Sequence, residues 1–291
     1  MNYRHVYHAG NFADVLKHAV LALVIEHLKS KGTPFRVIDT HAGVGSYDLS
    51  STEAQKTGEW LDGIGRLTGA TLPPGIADIL RPYLMAVSRE NIGSGGAILR
   101  YPGSPQIARS LLRPVDILAV NELHPDDCVR LTRLFAGDPQ TKVLKLNGWD
   151  AIKALLPPKE RRGVTLIDPP FEELGEFDRL VQGLRDAHKR FATGTVIAWY
   201  PIKDERAVAA FHAGLQRLEM SKLMSVVLMV RNPSHLGGLP GTGLVISNPP
   251  FTLESKLQVL LPYLKETLQQ GSGARSHIEW LKREAAPIQD T

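Results

Sequence analysis

The sequence predicts an α/β protein in which helices cover both faces of a mostly parallel β-sheet. Three observations predict this fold class. Short apolar runs alternate with helical stretches along most of the chain. The first run leads directly into a glycine-rich turn, and acidic residues follow later runs. Because ligands of open α/β sheets bind at the carboxyl ends of the strands, functional residues are expected there.

The composition is that of an ordinary globular protein. The chain has 291 residues, 43% hydrophobic and 22% charged, which is enough for one α/β domain with a small insertion. The net charge of +4 is compatible with a polyanionic partner but does not require one. A single cysteine, Cys128, excludes an internal disulfide and disfavours a thiolate metal site.

The N-terminal region predicts a tail and a helix over residues 1–34. Asn11 is the expected N-cap, and apolar residues at helical spacing from Val15 to Leu28 precede Gly32, the expected end. Charged residues interrupt this helix, so it is too polar to span a membrane. The region lacks the apolar segment of a signal peptide, and we expect a cytoplasmic protein that makes no membrane contact.

A sheet domain is predicted for residues 35–270, with a helical insertion at about 52–95, followed by a C-terminal tail over 271–291 that is loose at its end. Seven strands are expected at about 35–39, 116–121, 142–146, 164–168, 194–200, 223–230 and 243–247. No helical stretch separates the last two, so they should form an antiparallel hairpin. Seven strands that end in a hairpin are typical of the Rossmann-like class I S-adenosylmethionine-dependent methyltransferases.

The turn after the first strand has the features of a cofactor loop. Asp39 ends that strand, and Gly43 and Gly45 permit a tight turn and a close approach of ligand to backbone. A dinucleotide fingerprint would have a third glycine where Asp48 stands, and an acid about 20 residues farther on. The best acid, Glu122, follows the second strand, which implies an insertion between the two strands. This pattern fits S-adenosylmethionine as well as NAD, so an NAD-dependent oxidoreductase remains an alternative, disfavoured by the two-glycine loop.

Asp168-Pro169-Pro170-Phe171, at the end of the fourth strand, suits the methylation of an exocyclic amine. A carboxylate and a backbone carbonyl that accept both N–H groups free the nitrogen lone pair, and an aromatic ring can stack on an extruded base. The simpler alternative is a strand end with no catalytic role. A similar motif begins at Asn248, but it follows the last strand and would face the glycine loop only in a permuted fold.

Two other groups of residues have less specific interpretations. Four histidines lie at positions 5, 8, 18 and 27, but no cysteine or carboxylate stands at zinc-ligand spacing, so no metal is predicted. Basic runs at 159–162 and 189–190 are either solvated surfaces or contacts with RNA.

The chain closely resembles the RlmJ family, which methylates an adenine N6 in bacterial 23S ribosomal RNA. The resemblance covers most of the chain and rests on these motifs: Tyr3-Arg4-His5, His8-Ala9-Gly10-Asn11, Ala13-Asp14-Val15-Leu16-Lys17-His18, Asp39-Thr40-His41-Ala42-Gly43, Tyr101-Pro102-Gly103-Ser104-Pro105, Glu122-Leu123-His124-Pro125 and Asp168-Pro169-Pro170-Phe171.

The resemblance implies that Asp168 is the catalytic residue that orients the target amine. Together with the glycine loop, it implies that these residues contact S-adenosylmethionine: His18, His41, Gly43, Ser104, Glu122, Asn147, Gly148 and Asp168. Glu122 is expected on the ribose hydroxyls. Asn147 departs from the aspartate expected there, although its amide oxygen can still accept from the adenine amine.

For the RNA substrate, the resemblance implies contacts with Tyr3, and stacking on Phe171 is expected. Lys17 should lie near the cofactor, with a less defined role. The expected partner is 23S ribosomal RNA, bound by a monomer. The alternatives are a DNA adenine-N6 methyltransferase, which the absence of a recognisable DNA-reading module disfavours, and a non-catalytic RNA-binding protein, which the intact Asp168 disfavours.

Overall fold

The computed structural model describes residues 4–233 and 237–284, so the predicted RNA contact of Tyr3 lies outside the described residues. The strands are β1 (Arg36–Asp39), β2 (Ser46–Asp48), β3 (Arg100–Pro102), β4 (Ile117–Asn121), β5 (Thr141–Leu144), β6 (Gly163–Ile167), β7 (Thr195–Ile202), β8 (Leu223–Met229), β9 (Gly241–Ser247) and β10 (Arg275–Lys282). The helices are α1 (Phe12–Lys29), α2 (Thr52–Thr57), α3 (Arg66–Gly69), α4 (Pro74–Arg89), α5 (Ser104–Leu111), α6 (Pro125–Leu134), α7 (Gly148–Leu155), α8 (Glu176–Arg190), α9 (Glu205–Gln216) and α10 (Leu253–Leu268).

Eight strands form the main sheet, in the order β10-β8-β9-β7-β6-β1-β4-β5. The five strands β7, β6, β1, β4 and β5 are parallel to one another. The chain leaves β1 for β4 and β5 on one side, then returns to β6 on the other. The carboxyl ends of β1, β4 and β6 therefore meet at the topological switch point, where open α/β sheets bind ligands.

The predicted fold class is confirmed, but the expected count of seven strands was wrong by one. The additional strand is β10, which pairs antiparallel with β8 at the edge of the sheet. It lies within the segment that we expected to be a C-terminal tail. Its sequence, Arg-Ser-His-Ile-Glu-Trp-Leu-Lys, is mostly polar because an edge strand is only partly covered, and this polarity hid it from an analysis of apolar runs.

The reversed direction of β9 decides between the two similar Pro-Pro-Phe motifs. β9 pairs antiparallel with both β7 and β8, which confirms the predicted hairpin, and Ser247 lies opposite Val196 near the start of β7. Asn248 therefore lies at the amino edge of the parallel strands, whereas Asp168 lies at their carboxyl edge. The strand order agrees with the expectation that Asn248 does not face the glycine loop.

Helices occupy the predicted insertion between β1 and β4, where α2, a π-helical turn, α3 and α4 follow one another. The sequence did not indicate that β2 and β3 pair in a small antiparallel sheet at the base of this insertion. In this sheet Tyr47 lies opposite Tyr101. β2 lies just before the helices of the insertion and β3 just after them, so the pairing of these two strands closes the insertion at its base.

Helix α1 begins at the carboxyl edge of the sheet and is buried along most of its length. The side chain of Asn11 accepts hydrogen bonds from the backbone N–H groups of Ala13 and Asp14, so the predicted cap is present. The helix ends at Lys29, three residues before the predicted Gly32. No helix in the described parts of the chain is long and apolar enough to cross a membrane.

The strand β10 leads to a prediction about stability. Leu281, on β10, is 7% exposed, whereas Leu174, on a loop, is 97% exposed. Leu281→Ala should lower the free energy of unfolding by about 2 kcal/mol, because it removes buried apolar contacts. Leu174→Ala is the matched control and should change it by less than about 0.5 kcal/mol. Urea denaturation of both variants measures the difference; equal stabilities would show that β10 is not an integral strand.

Candidate active site

A cavity of about 530 Å³ opens at the carboxyl edge of the sheet, above the switch point. Its walls come from the start of α1, the loop after β1, the start of α5, the loop after β4, the start of α7 and the loop after β6. All eight residues expected to contact the cofactor line it: His18, His41, Gly43, Ser104, Glu122, Asn147, Gly148 and Asp168. The fold thus brings together residues that are up to 150 positions apart.

Glu122 holds the glycine loop in place. One carboxylate oxygen accepts from the backbone N–H of Gly43 at 2.8 Å, and the other from that of His124 at 2.7 Å. Gly43 has a φ of +62°, and a Cβ there would lie 2.3 Å from the Tyr47 hydroxyl, so only glycine fits. Burial raises the pKa of Glu122, although both N–H groups act in the opposite direction.

Beneath this loop, Asp39 is buried at the end of β1. Ser104 donates its hydroxyl hydrogen to one carboxylate oxygen at 2.6 Å, and the backbone N–H of His41 lies 3.2 Å from the other. Burial, assisted by the nearby charge of Asp168, raises the pKa of Asp39 to about 7, against the effect of the Ser104 hydrogen bond. The sequence analysis placed Asp39 in a motif without assigning it a role in the site.

His41 and Gly148 form a tightly packed part of the wall. The Thr40 hydroxyl donates to the Leu166 carbonyl at 3.0 Å, so it accepts from Nδ1–H of His41 at 2.8 Å. This leaves Nε2 as an acceptor, and burial keeps the ring neutral by lowering its pKa to about 4. A Cβ on Gly148 would lie 2.1 Å from that Nε2 atom, so a larger residue would displace the imidazole.

Asn147 precedes α7 and caps it. Its side-chain oxygen accepts from the backbone N–H of Trp149 at 3.0 Å, and the Trp149 ring meets His41 edge-on at 5.5 Å between centroids. The amide that replaces the expected aspartate is therefore held in position by the helix it begins. Asn147 itself is exposed at the cavity wall.

His18 lines the cavity and has a buried ring nitrogen, Nε2, that lies 3.8 Å from Asp14 Oδ1. It is 1% exposed, its Nδ1 is 2.7 Å from the Tyr101 hydroxyl, and it stacks on that ring at 5.6 Å. Burial lowers the pKa of His18 to about 3, so the ring is neutral. Its Nε2 has no hydrogen-bond partner among the described residues. A buried nitrogen without a hydrogen-bond partner is costly and is uncommon in folded proteins.

Lys17 links the N-terminal helix to Asp168, an interaction that the sequence analysis missed. Its ammonium lies 2.7 Å from Asp14 Oδ1 and 2.6 Å from Asp168 Oδ2, and the residue is 3% exposed. Burial acts to lower the pKa of Lys17, but the two carboxylates outweigh it and raise that pKa. The i,i+3 pair of Asp14 and Lys17 is visible in the sequence. The pair of Lys17 and Asp168 spans 151 positions and has no local pattern.

Asp14 completes this network of charges. It also accepts from His5 Nε2 and from the backbone N–H of Gly10, each at 2.9 Å. Burial acts to raise the pKa of Asp14, but the positive charges around it and its hydrogen bonds lower it well below the ordinary value. Lys17 is thereby held between two carboxylates. Because Lys17 engages Oδ2 of Asp168, Oδ1 is the oxygen left for a substrate.

A second cavity, of about 630 Å³, lies on the other side of Asp168. His5, Lys17, Asp168, Pro170 and Glu172 line both cavities. Phe171, the predicted stacking residue, contributes to the second, with a φ of +51° and its ring edge-on to that of Trp199 at 5.7 Å between centroids. Asp168 therefore lies between the two cavities and lines both of them.

The described residues contain no group of three or more histidines, cysteines or carboxylates that could hold a metal ion. The arrangement instead suits two organic ligands that meet at a carboxylate. Hydrogen-bonding groups surround the first cavity, and aromatic rings line part of the second.

Comparison with known proteins identifies the family. The family model described as "Ribosomal RNA large subunit methyltransferase D, RlmJ" matches residues 32–282. The ribosomal RNA large subunit methyltransferase J of Haemophilus influenzae is 44% identical, covering 98% of this chain and 100% of that protein. The Escherichia coli protein of the same name is 40% identical, covering 97% and 99%.

A solved structure agrees with this assignment. The crystal structure of a Legionella pneumophila protein superposes with a TM-score of 0.83 at 32% identity, covering 94% of this chain and 98% of that one. Its similarity extends over the fold that carries both cavities. The chain therefore belongs to the RlmJ family of large-subunit ribosomal RNA methyltransferases, as its sequence motifs predicted.

Proposed function

We propose that this protein transfers the methyl group of S-adenosylmethionine to N6 of an adenine in 23S ribosomal RNA. The observation that carries the proposal is the position of Asp168 between two cavities, in a chain whose relatives are named large-subunit ribosomal RNA methyltransferases. One cavity would hold the methyl donor and the other the target base. The single chain builds both cavities, which supports a monomer, and the proposed substrate implies a cytoplasmic protein.

The first cavity fits S-adenosylmethionine in shape and in chemistry. Gly43 and Gly148 leave space where any side chain would collide with Tyr47 or His41. The unsatisfied Nε2 of His18 and the carboxylate of Glu122 offer hydrogen-bonding partners for polar groups of the ligand. When bound, this cofactor supplies an electrophilic methyl group on a positively charged sulfur.

Carboxylates around the first cavity favour such a cation. Glu122, Asp168, Glu173 and Glu176 line it, and Asp39 lies directly beneath. Lys17 pairs with Asp168, and Arg179 pairs with Glu173 and Glu176, so Glu122 and Asp39 are the carboxylates here without a cationic partner in the described residues. A cation gains Coulombic stabilisation from these groups, and more so where the protein excludes water. Burial raises the pKa of Asp39 and of Glu122, and a nearby cation would favour the ionised form of both carboxylates.

The second cavity fits an extruded adenine. Pro170, Phe171 and Trp199 provide apolar and aromatic surface, and Asp168 reaches into the space from its edge. Oδ1 of Asp168 and a backbone carbonyl of the adjoining turn would accept the two N6 hydrogens. These contacts would turn the nitrogen lone pair toward a methyl donor held in the first cavity, and the carboxylate or water would take the proton that N6 loses.

Lys17 acts as a positioning residue for this step. It holds Oδ2 of Asp168 at 2.6 Å and is itself held by Asp14, so the carboxylate cannot rotate freely. The reaction forms no covalent enzyme intermediate. Catalysis depends on the orientation of the amine and on the placement of charge.

Exchange of Asp168 tests the catalytic assignment. Asp168→Ala should abolish methyl transfer, because the target amine loses the acceptor that orients it. The protein should still fold but be less stable, because Lys17 loses one of its two carboxylate partners. Asn248→Ala is the matched control from the similar motif at the opposite edge, and should retain the chemistry. Single-turnover methylation of unmodified ribosomal RNA, with circular dichroism to confirm folding, compares the two. An active Asp168→Ala variant would remove the basis of the proposed mechanism.

Exchange of Glu122 tests the cofactor site. Glu122→Ala should weaken S-adenosylmethionine binding by about 1–3 kcal/mol, because the ligand loses a charged acceptor and the glycine loop loses its anchor. Asp126→Ala, an exposed carboxylate on α6, is the control and should bind normally. Calorimetric titration measures both, and NAD should not bind the wild-type protein. Tight NAD binding without S-adenosylmethionine binding would contradict the assignment.

The charge of Asp39 leads to a prediction about pH. Because the folded state raises its pKa to about 7, the folded protein keeps this proton where the unfolded chain has released it. The free energy of unfolding of the wild-type protein should therefore fall as the pH rises from about 5 to 8. In Asp39→Asn this fall should be smaller by about 1–3 kcal/mol.

Asp48→Asn is the control for this experiment. Hydrogen bonds from Ser50 lower the pKa of Asp48, so it stays ionised throughout that pH range and its exchange should not alter the pH dependence. Urea denaturation of the cofactor-free variants at pH 5 and pH 8 measures the effect. An unchanged pH dependence in Asp39→Asn would show that Asp39 is already ionised at pH 5.

A further inference from the structure

The second Pro-Pro-Phe motif places an aromatic ring in solvent at the amino edge of the sheet, away from both cavities. Phe251 is 88% exposed. The turn that carries it is well anchored, because the Asn248 amide donates to the carbonyls of Ala192 and Gly194 at 2.5 and 3.0 Å. The backbone N–H of Asn248 also donates to the Lys222 carbonyl at 2.9 Å. The ring is therefore held outward by an ordered turn.

A neighbouring histidine forms an aromatic pair with Phe251. The His27 ring, near the end of α1, meets it edge-on, with 5.4 Å between centroids and an angle of 83° between planes. Despite this contact, most of the Phe251 surface remains open to solvent. Burying such a ring contributes about 1.5–3 kcal/mol, so a ligand that stacks on it would gain substantial affinity.

Positive charges surround this aromatic pair. Arg162 donates to the carbonyl of Leu28, the residue after His27; Lys31 follows the end of α1, and Lys256 lies in the first turn of α10, five residues after Phe251. Burial and the charges of these three residues lower the pKa of His27. Within the described residues, no carboxylate forms an ion pair with any of these cations. The nearby acid Glu26 is paired with Lys29 at 2.5 Å. The surface around Phe251 thus has excess positive charge.

An open aromatic ring among unpaired cations matches one ligand chemistry. Proteins that bind single-stranded nucleic acid combine aromatic rings, on which bases stack, with basic residues that contact phosphates. The core of a protein-binding surface would instead be broader, more apolar and poor in charge. The composition of this surface therefore favours RNA over a protein partner.

We propose that Phe251, His27, Lys31 and Lys256 form a second RNA-binding surface, which stacks an unpaired base on Phe251 and pairs phosphates with the two lysines. This inference rests on the proposed function, since it assumes an RNA substrate. It assigns a role to the motif that lies at the opposite edge of the sheet from the chemistry.

Helix α1 sets the distance between the two sites. Lys17 contacts the catalytic carboxylate, and His27 lies ten residues later, about 15 Å farther along the helix axis. An RNA that occupies both sites must therefore extend well beyond its target nucleotide. The contribution of Phe251 should depend on the length of the RNA, whereas that of Asp168 should not.

The test compares two RNAs: a fragment of 23S ribosomal RNA that the wild-type protein methylates, and the shortest oligonucleotide within it that is still methylated. Phe251→Ala should bind the long fragment roughly five- to tenfold more weakly, in line with the loss of one stacked base. It should bind and methylate the short oligonucleotide as the wild type does. Phe251→Trp should restore affinity for the long fragment. Lys256→Ala should make the affinity for the long fragment less dependent on salt concentration, by the amount expected for the loss of about one phosphate contact.

Ile92→Ala is the matched control, because Ile92 is 84% exposed on the helical insertion and should not affect either RNA. Equal affinities of Phe251→Ala and wild type for the long fragment would overturn the inference, as would equal losses on both RNAs. A loss seen only on ribosomal particles, and not on naked RNA, would indicate a protein partner and would also overturn it. Failure of the wild type to methylate any RNA would instead refute the proposed function.

Discussion

The buried contact between Lys17 and Asp168 is the interaction on which the arrangement of the site depends. A lysine that is 3% exposed would be very costly without partners, and two carboxylates compensate for its charge. The contact joins the first helix of the chain to the end of β6, at the centre of the sheet. It explains why the N-terminal region belongs to the active site and is not an appendage of the sheet domain.

Lys17 and Asp168 also lie between two cavities whose linings differ in chemistry. Carboxylates dominate the first cavity, which suits a cationic methyl donor, while aromatic and apolar groups line part of the second. The cations near Phe251 lie at the opposite edge of the sheet, so the proposed second RNA-binding surface is separate from the carboxylates of the first cavity.

Strand direction determines which of two similar motifs can carry the chemistry. Both follow an apolar strand, and both place a polar residue before two prolines and a phenylalanine. Since β6 is parallel to β1, Asp168 reaches the same edge as the glycine loop. Since β9 is antiparallel to β7, Asn248 reaches the other edge, where its amide stabilises a turn. The same local sequence pattern thus lies between two cavities in one place and on the surface in the other.

The sequence by itself determined the fold class, the approximate positions of the parallel strands along the chain, the glycine loop and the motif that ends in Phe171. These features depend on apolar periodicity or on contiguous residues, both of which are local. It also identified eight residues that line one cavity, because the family's motifs are short and specific. Only the tertiary structure decided that Lys17 contacts Asp168, that β10 completes the sheet and that Phe251 lies among cations. Contacts between distant segments leave no periodic pattern, and an edge strand is too polar to be recognised by its burial, so these features emerge only when the chain is folded.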